Sequence, residues 1–173
     1  MDDGASLRAD CGRCAGLCCV ALAFDRSALF AEDKAAGQAC RHLGPEDGCA
    51  IHADRERNGY AGCVSYDCLG AGQLVTQDLF GGCSWRDCAD GGKAMFSAFA
   101  QARRVQEWRQ LLASAAQLRL TRTLALRRSE LLEQLRPPHG WTLAALARVT
   151  NGGMGRDIAE FLRELRFVAQ PSP

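Results

Sequence analysis

All ten cysteines of this 173-residue chain fall within residues 11–88, and the last 85 residues hold none. The densest run is Cys11-Gly-Arg-Cys14-Ala-Gly-Leu-Cys18-Cys19, a C-x2-C-x3-C-C spacing. Cysteines crowd in this way for disulfides or for metal, and either one organises a chain from within. A chain of this length buries roughly 68–70% of its unfolded surface, so it needs no staples for want of a core. The start, Met1-Asp2-Asp3, is acidic where a secretory signal is basic. The apolar run at residues 17–24 is short, carries Cys18 and Cys19, and ends in Asp25-Arg26. Nothing approaches the ~20 apolar residues of a membrane span. The expected location is therefore cytoplasmic, where thiols stay reduced and a dense cysteine pattern points to metal. Disulfides and buried free thiols are the plainer alternatives.

Two regimes divide the chain. Residues 1–92 hold fourteen of the eighteen glycines and all the cysteines. Their short Gly- and Asp-rich segments read as loops and helical turns organised by ligands, with helical patches expected at 27–36 and 76–79. Residues 93–136 contain neither Gly nor Pro. Phe96 and Phe99 open this stretch, and Val105, Trp108, Leu112 and Ala115 recur at helical spacing on one face. Leu124, Leu131 and Leu135 continue the apolar side beyond an Arg- and Thr-containing section, where a break is expected, and Pro137-Pro138 ends it. A second helix is expected from Thr142 as N-cap to Val149, stopped by Asn151-Gly152-Gly153. A third is expected over 156–168, with Ile158, Phe161, Leu162 and Leu165 on one face. The fold class expected is mainly α: a loop-rich, metal-organised cysteine-cluster region at 1–92, and a small helical bundle at 93–173 packing on it.

Charge divides at the same place. Residues 1–92 carry fourteen acidic and eight basic side chains (−6), and residues 93–173 carry six and thirteen (+7), which recovers the net +1. The plain reading is mutual attraction of the two regions. The sharper one is a basic helical surface for an acidic protein or peptide partner. Arg103, Arg104, Arg109, Arg119, Arg122, Arg127 and Arg128 read as a solvated face. Nucleic acid is not expected, because no aromatic–basic interleaving accompanies them. Asn151-Gly152-Gly153-Met154-Gly155 lacks a Lys at phosphate-loop spacing and reads as a turn.

The cysteine spacings carry the chemistry. Two residues between Cys11 and Cys14 let one tight turn bring both sulfurs to one ion. Gly12 and Gly16 permit the backbone such turns need. Adjacent Cys18 and Cys19 are expected to face different metals, or one to bind while the other packs. Cys40, Cys49, Cys63 and Cys68 supply distant ligands, and His42 and His52 are alternative nitrogen donors. Tyr60, Tyr66 and Trp85 read as packing groups around the site. Gly62-Cys63-Val-Ser-Tyr-Asp67-Cys68 is echoed by Gly82-Cys83-Ser-Trp-Arg-Asp87-Cys88, as a duplicated loop or by chance.

Taken together, Cys11-x2-Cys14-x3-Cys18-Cys19, Cys40-Arg41-His42-Leu43, Cys49-Ala50-Ile51-His52, Arg55 or Arg57, Cys63 and Cys68 resemble the YkgJ-type cysteine-cluster family, described as zinc- or iron-chelating. The resemblance covers about residues 11–68 and implies that these eight cysteines are metal ligands, with Cys83 and Cys88 outside the pattern. Residues 17–22, Asp33-Lys34 and residues 66–73 also resemble the leading segment of certain actinobacterial pentapeptide-repeat proteins, whose repeat ladder this chain lacks after residue 136. The family resemblance extends to flagellin lysine methylase-like enzymes, for which an iron–sulfur cluster is implied. Zinc and iron–sulfur both stay open, since eight thiolates suit two zinc sites or one four-iron cluster with thiols to spare. Structural zinc contributes on the order of 10–16 kcal/mol per site, so metal loss is expected to unfold residues 1–92. The expected function is metal binding in a structural or redox role, assisting a modification pathway. A metalloenzyme acting on a peptide or protein, and metal storage or trafficking, are the alternatives. Hydrolase and deaminase motifs are absent, while a Cys nucleophile paired with His42, His52 or His139 stays open on spacing alone.

Overall fold

The structure, a computed structural model, describes residues 7–168. The acidic start Met1-Asp2-Asp3 and the last five residues of the 93–173 region lie outside the described residues. The protein is mainly α. In chain order the helices are α1 (Leu17–Ala21), α2 (Ala61–Ser65), α3 (Ala71–Gln73), α4 (Lys93–Ala115), α5 (Arg122–Gln134), α6 (Leu143–Asn151) and α7 (Met154–Leu165). A π-helical turn at Leu74–Leu79 prolongs α3, so residues 76–79 are helical as expected. Among the described residues, β pairing is limited to two antiparallel bridges, Phe24–Lys34 and Leu43–Cys49.

Residues 27–36 are not helical. They fold back on themselves, closed by the Phe24–Lys34 bridge. The cause is tertiary: the Phe24 and Phe30 rings stack at 4.3 Å. The Lys34 ammonium also donates to the carbonyls of Val20, Leu22, Ala35 and Gln38. A helix would separate these groups, and local propensity loses to four charge-assisted hydrogen bonds.

Beyond residue 92, local chemistry and structure agree. The Asp90 carboxylate accepts from the Gly92 and Ala94 amides at 2.9 and 2.8 Å, which starts α4 and holds that carboxyl below its usual range. The expected break falls at residues 116–121, and Thr121 caps α5 by accepting from Leu124 N. Thr142 Oγ1 accepts from Ala145 N at 3.1 Å and caps α6, which runs to Asn151, two residues past the expected end. Gly152 is required where the chain turns, because a Cβ there would lie 2.7 Å from the Arg148 carbonyl oxygen. Helix α7 begins at Met154 rather than 156 and ends at Leu165.

One apolar core runs through the molecule. Met95, Phe99, Ala102, Val105 and Leu112 of α4 meet Leu131, Leu135, Leu146, Ile158 and Phe161 on one side. Leu17 of α1, Ala71 of α3 and Val75 of the π turn belong to the same core. Trp108 is only half-buried, and α7 approaches it closely at Gly155, where a Cβ would sit 3.2 Å from the indole. The arginines are more than a solvated face. Arg109 is 7% exposed, with Nη1 on Gln106 Oε1 at 2.8 Å. Arg127 of α5 binds Glu160 and Glu164 of α7. Arg103 stands 5.4 Å from the Tyr66 ring and joins α4 to the cysteine region. Arg103 and Arg127 thus reach neighbouring elements, while Arg109 is buried on α4 beside Gln106 of the same helix. No helix among the described residues is long and apolar enough to cross a membrane.

Candidate functional site

Short elements and hydrogen bonds between distant segments set the eight cysteines of the 11–68 pattern. Cys11 opens a 3₁₀ turn, Cys11–Arg13, whose preceding Asp10 accepts from Gly12 N. The turn is tied to α3 and its π extension: Asp10 N donates to Gln73 Oε1, Gln77 Nε2 to Arg13 O, and Ala15 N to Thr76 Oγ1. Gly16 then adopts φ 59° and begins α1. A Cβ at Gly16 would lie 2.6 Å from Leu43 Cδ1 and 2.9 Å from Asp47 O, so glycine lets the 43–49 loop close over α1. Cys40 is joined to α1 by its amide, which donates to Cys19 O at 2.9 Å. Cys49 is held by the bridge to Leu43, and Cys63 lies in α2. Cys68 approaches Cys14 across Gly72, where a Cβ would lie 2.8 Å from Cys14 Cβ and 3.8 Å from Cys68 Sγ.

Cys11, Cys14, Cys18, Cys19, Cys40, Cys49, Cys63 and Cys68 all line one cavity of about 230 Å³. His42, His52, Arg55, Tyr60 and Tyr66 share its wall with Leu22, Phe24, Phe30, Ile51 and Phe99. Cys83 and Cys88 do not line it. Cys83 is exposed, and Cys88 Sγ donates to Ser84 O at 3.7 Å. The echo of the 62–68 motif at 82–88 is therefore not repeated in space. Cys63 lies in a helix, whereas the second copy makes the 3₁₀ turn Trp85–Asp87. Arg86 fastens that turn to Asp47 and Gly44. Cys18 and Cys19 do not turn to opposite sides either: their sulfurs are 3.9 Å apart, and both line the cavity. All ten cysteines are free thiols in this structure. Among the described residues, no group of three or more His, Cys, Asp or Glu is placed to hold one metal ion.

The cavity disfavours thiolates unless a cation accompanies them. Burial, then repulsion from Cys18, pushes the Cys14 thiol up to about 11. Cys11 and Cys63 are raised for the same two reasons, with the Arg55 guanidinium pulling back on both. Cys18 is raised most, first by its contact with Cys19 and then by burial. Lys34 is lowered by burial, and Cys40, Cys19, Cys18 and Cys63 oppose that shift. Eight soft ligands in one cavity, with Cys11, Cys14, Cys18 and Cys63 raised as neutral thiols, are a donor set that suits a thiophilic metal.

Three neighbours read less fully in the sequence have defined places. Lys34 is buried and ties residues 34–38 to the end of α1. Arg55 Nη1 donates to Cys63 O at 3.0 Å, while its Nε is buried without a partner. Tyr66 is more than a packing ring: its hydroxyl is buried, lacks a partner and belongs to a cavity-lining residue. Burial holds that phenol above its usual value. Arg55 stood in the spacing pattern. For Tyr66 the signal was only its position two residues before Cys68. His42 sits edge-on to Tyr60, ring centres 5.0 Å apart, and the Tyr60 hydroxyl donates to Glu32 at 2.6 Å.

Fold and site together define a mainly α protein with a thiol-lined cavity between short N-terminal elements. Its sequence is similar to the uncharacterized protein YybG of Bacillus subtilis (strain 168), at 46% identity over 93 residues. That alignment takes in 54% of this chain and 33% of YybG, so the chain matches about a third of that relative's length. No known family profile matches the chain, and no solved structure matches it.

Proposed function

We propose that this is a metal-binding protein in which Cys11, Cys14, Cys18, Cys19, Cys40, Cys49, Cys63 and Cys68 hold zinc or an iron–sulfur cluster in a structural or redox role. The carrying observation is that these eight, and neither Cys83 nor Cys88, line one cavity. The resemblance to the YkgJ-type pattern supports the same eight. Buried donors without acceptors in this wall, Arg55 Nε and Tyr66 Oη, fit an anionic sulfur-ligated group. Zinc would cross-link the loops around the cavity, and an iron–sulfur cluster would supply one-electron transfer. The cysteines bind, and the short elements around them hold the sulfurs in place. On this reading the loops at residues 23–60 are organised by the metal.

The apolar lining that Leu22, Phe24, Phe30, Ile51 and Phe99 add to the cavity favours a second reading, a metalloenzyme acting on a peptide or protein. Anaerobic purification with a visible spectrum and metal analysis on one sample tests the first. Bound zinc, or iron with acid-labile sulfide, is expected, retained in Cys83→Ser/Cys88→Ser and lost in Cys14→Ser/Cys18→Ser. A protein that is metal-free as isolated, and takes up neither zinc nor iron and sulfide on anaerobic reconstitution, would overturn it.

A further inference from the structure

We infer that Tyr66 Oη and Arg55 Nε are the hydrogen-bond donors that meet the sulfur atoms of the bound centre, so the cavity selects a net-anionic, sulfur-ligated group. This rests on the metal reading above. Both atoms are buried without a partner, and both residues line the cysteine cavity. A buried polar group left unpaired costs about 1–3 kcal/mol, more when charged. Both groups can donate, and no acceptor in the structure serves either.

Three other polar groups of that wall are already engaged. Asp10 accepts from Gly12 N, Asp47 from Arg86, and the Tyr60 hydroxyl is bound to Glu32. The thiols and the imidazoles of His42 and His52 remain within the cavity, and neutral thiols are weak acceptors. Metal-bound thiolates are strong ones, and four of them on one zinc ion leave a net charge of about −2. Arg55 is the one lysine or arginine among the lining residues. Its guanidinium already favours ionised Cys11 and Cys63.

Both residues are held by contacts that leave the Tyr66 hydroxyl and Arg55 Nε unused. Tyr66 N donates to Gly62 O at 3.1 Å, and its ring faces the Arg103 guanidinium of α4 at 5.4 Å. Arg55 O accepts from Tyr60 N at 2.8 Å, and Arg55 Nη1 is spent on Cys63 O. Donors fixed before the metal arrives orient and stabilise sulfur ligands, and losing such a contact typically costs 10–100-fold in metal affinity.

The test compares wild type, Tyr66→Phe, Arg55→Lys and Trp85→Phe, loaded with metal or with cobalt(II) in its place. Tyr66→Phe keeps the ring against Arg103, and Arg55→Lys keeps the charge. Trp85→Phe removes another buried donor without a partner, but one outside the cavity. Metal content, the rate of metal transfer to excess chelator and the sulfur-to-cobalt charge-transfer band are read on each. Tyr66→Phe and Arg55→Lys are expected to load fully, lose metal about 10–100-fold faster and shift the band, while Trp85→Phe matches wild type. Wild-type release rates and band positions in both cavity variants would overturn the inference while leaving the metal reading intact. A wild-type protein that takes up no metal would overturn the metal reading itself, and this inference with it.

Discussion

Gly72 puts the site geometry to its sharpest single-residue test. It lies in α3 and is buried, and a Cβ there would stand 2.8 Å from Cys14 Cβ, 3.4 Å from Cys14 Sγ and 3.8 Å from Cys68 Sγ. Its φ is not left-handed, so alanine meets no backbone strain and gains about 0.5–1 kcal/mol of helix propensity. Carbon atoms rest at about 3.5–4.0 Å, so Cys14 must retreat by roughly 0.7–1.2 Å. Overpacking of this kind costs about 1–3 kcal/mol. The net loss for the metal-free Gly72→Ala fold is therefore between about zero and 2.5 kcal/mol. The site suffers more, because metal–ligand distances tolerate only about 0.2 Å, several times less than the required retreat. Gly72→Ala should lower the metal-free urea midpoint by no more than that loss allows, yet release metal to chelator at least about 10-fold faster, the range seen when ligand orientation is lost. An unchanged release rate and charge-transfer spectrum would refute the reasoning and remove Cys14 from the ligand set.

Four further outcomes are expected. The Cys14 thiol is raised from 9.0 to about 11 in the metal-free fold, so its contribution is complete below pH 9 and is lost as pH rises through 11. That is at most about 2–3 kcal/mol, read as a falling urea midpoint that the metal-loaded protein does not share. Lys34→Met removes the ammonium from four carbonyls, of which Val20 O and Ala35 O keep a backbone amide donor, and should cost about 2–4 kcal/mol; a loss under about 1 kcal/mol would deny the clamp. Phe161 is fully buried among α4, α5 and α7, so Phe161→Ala should cost about 3–5 kcal/mol, whereas Leu143→Ala, at 46% exposed, should cost under about 1 kcal/mol. Chelation should expose residues 23–60 to protease while α4–α7 stay intact, and uniform digestion of the whole chain would contradict this.

The helices beyond residue 92 were legible because their signals are local. Thr142 and Thr121 cap through their own hydroxyls, Pro137-Pro138 follows α5, and the apolar spacing of Val105, Leu112 and Ala115 gives the buried face. The separation of eight cavity cysteines from Cys83 and Cys88 was also legible, in the spacing pattern of residues 11–68. What did not read through depends on contacts between distant residues. Residues 27–36 look helical until Phe24 stacks on Phe30 and Lys34 reaches back to Val20 and Leu22. Whether the 82–88 motif duplicates the 62–68 loop or echoes it by chance does not read from spacing, because its turn is set by Arg86 reaching Asp47 and Gly44. Arg109 and Arg127 look solvated until helices close over them.

The distribution of apolar side chains bears on how much of the fold a metal would have to supply. Leu17 and Val20 of α1, Ala71 of α3 and Val75 of the π turn are buried, and Leu17, Ala71 and Val75 share one core with α4. Gln73 and Gln77 fasten residues 8–13 to that platform through hydrogen bonds to Arg8 O and Arg13 O. Cys11, Cys14, Cys18, Cys19 and Cys68 therefore stand on elements that the α4 core holds without metal. Cys40 and Cys49 stand on loops whose ties are hydrogen bonds, the Lys34 clamp and the ring cluster of Phe24, Phe30 and Tyr60. Beside the expectation that metal loss unfolds all of residues 1–92 stands a narrower proposal, confined to residues 23–60. A centre bridging the two sets would draw its folding contribution from closing residues 23–60 over a floor already formed. Its affinity would depend as much on the α4 core as on the thiols themselves.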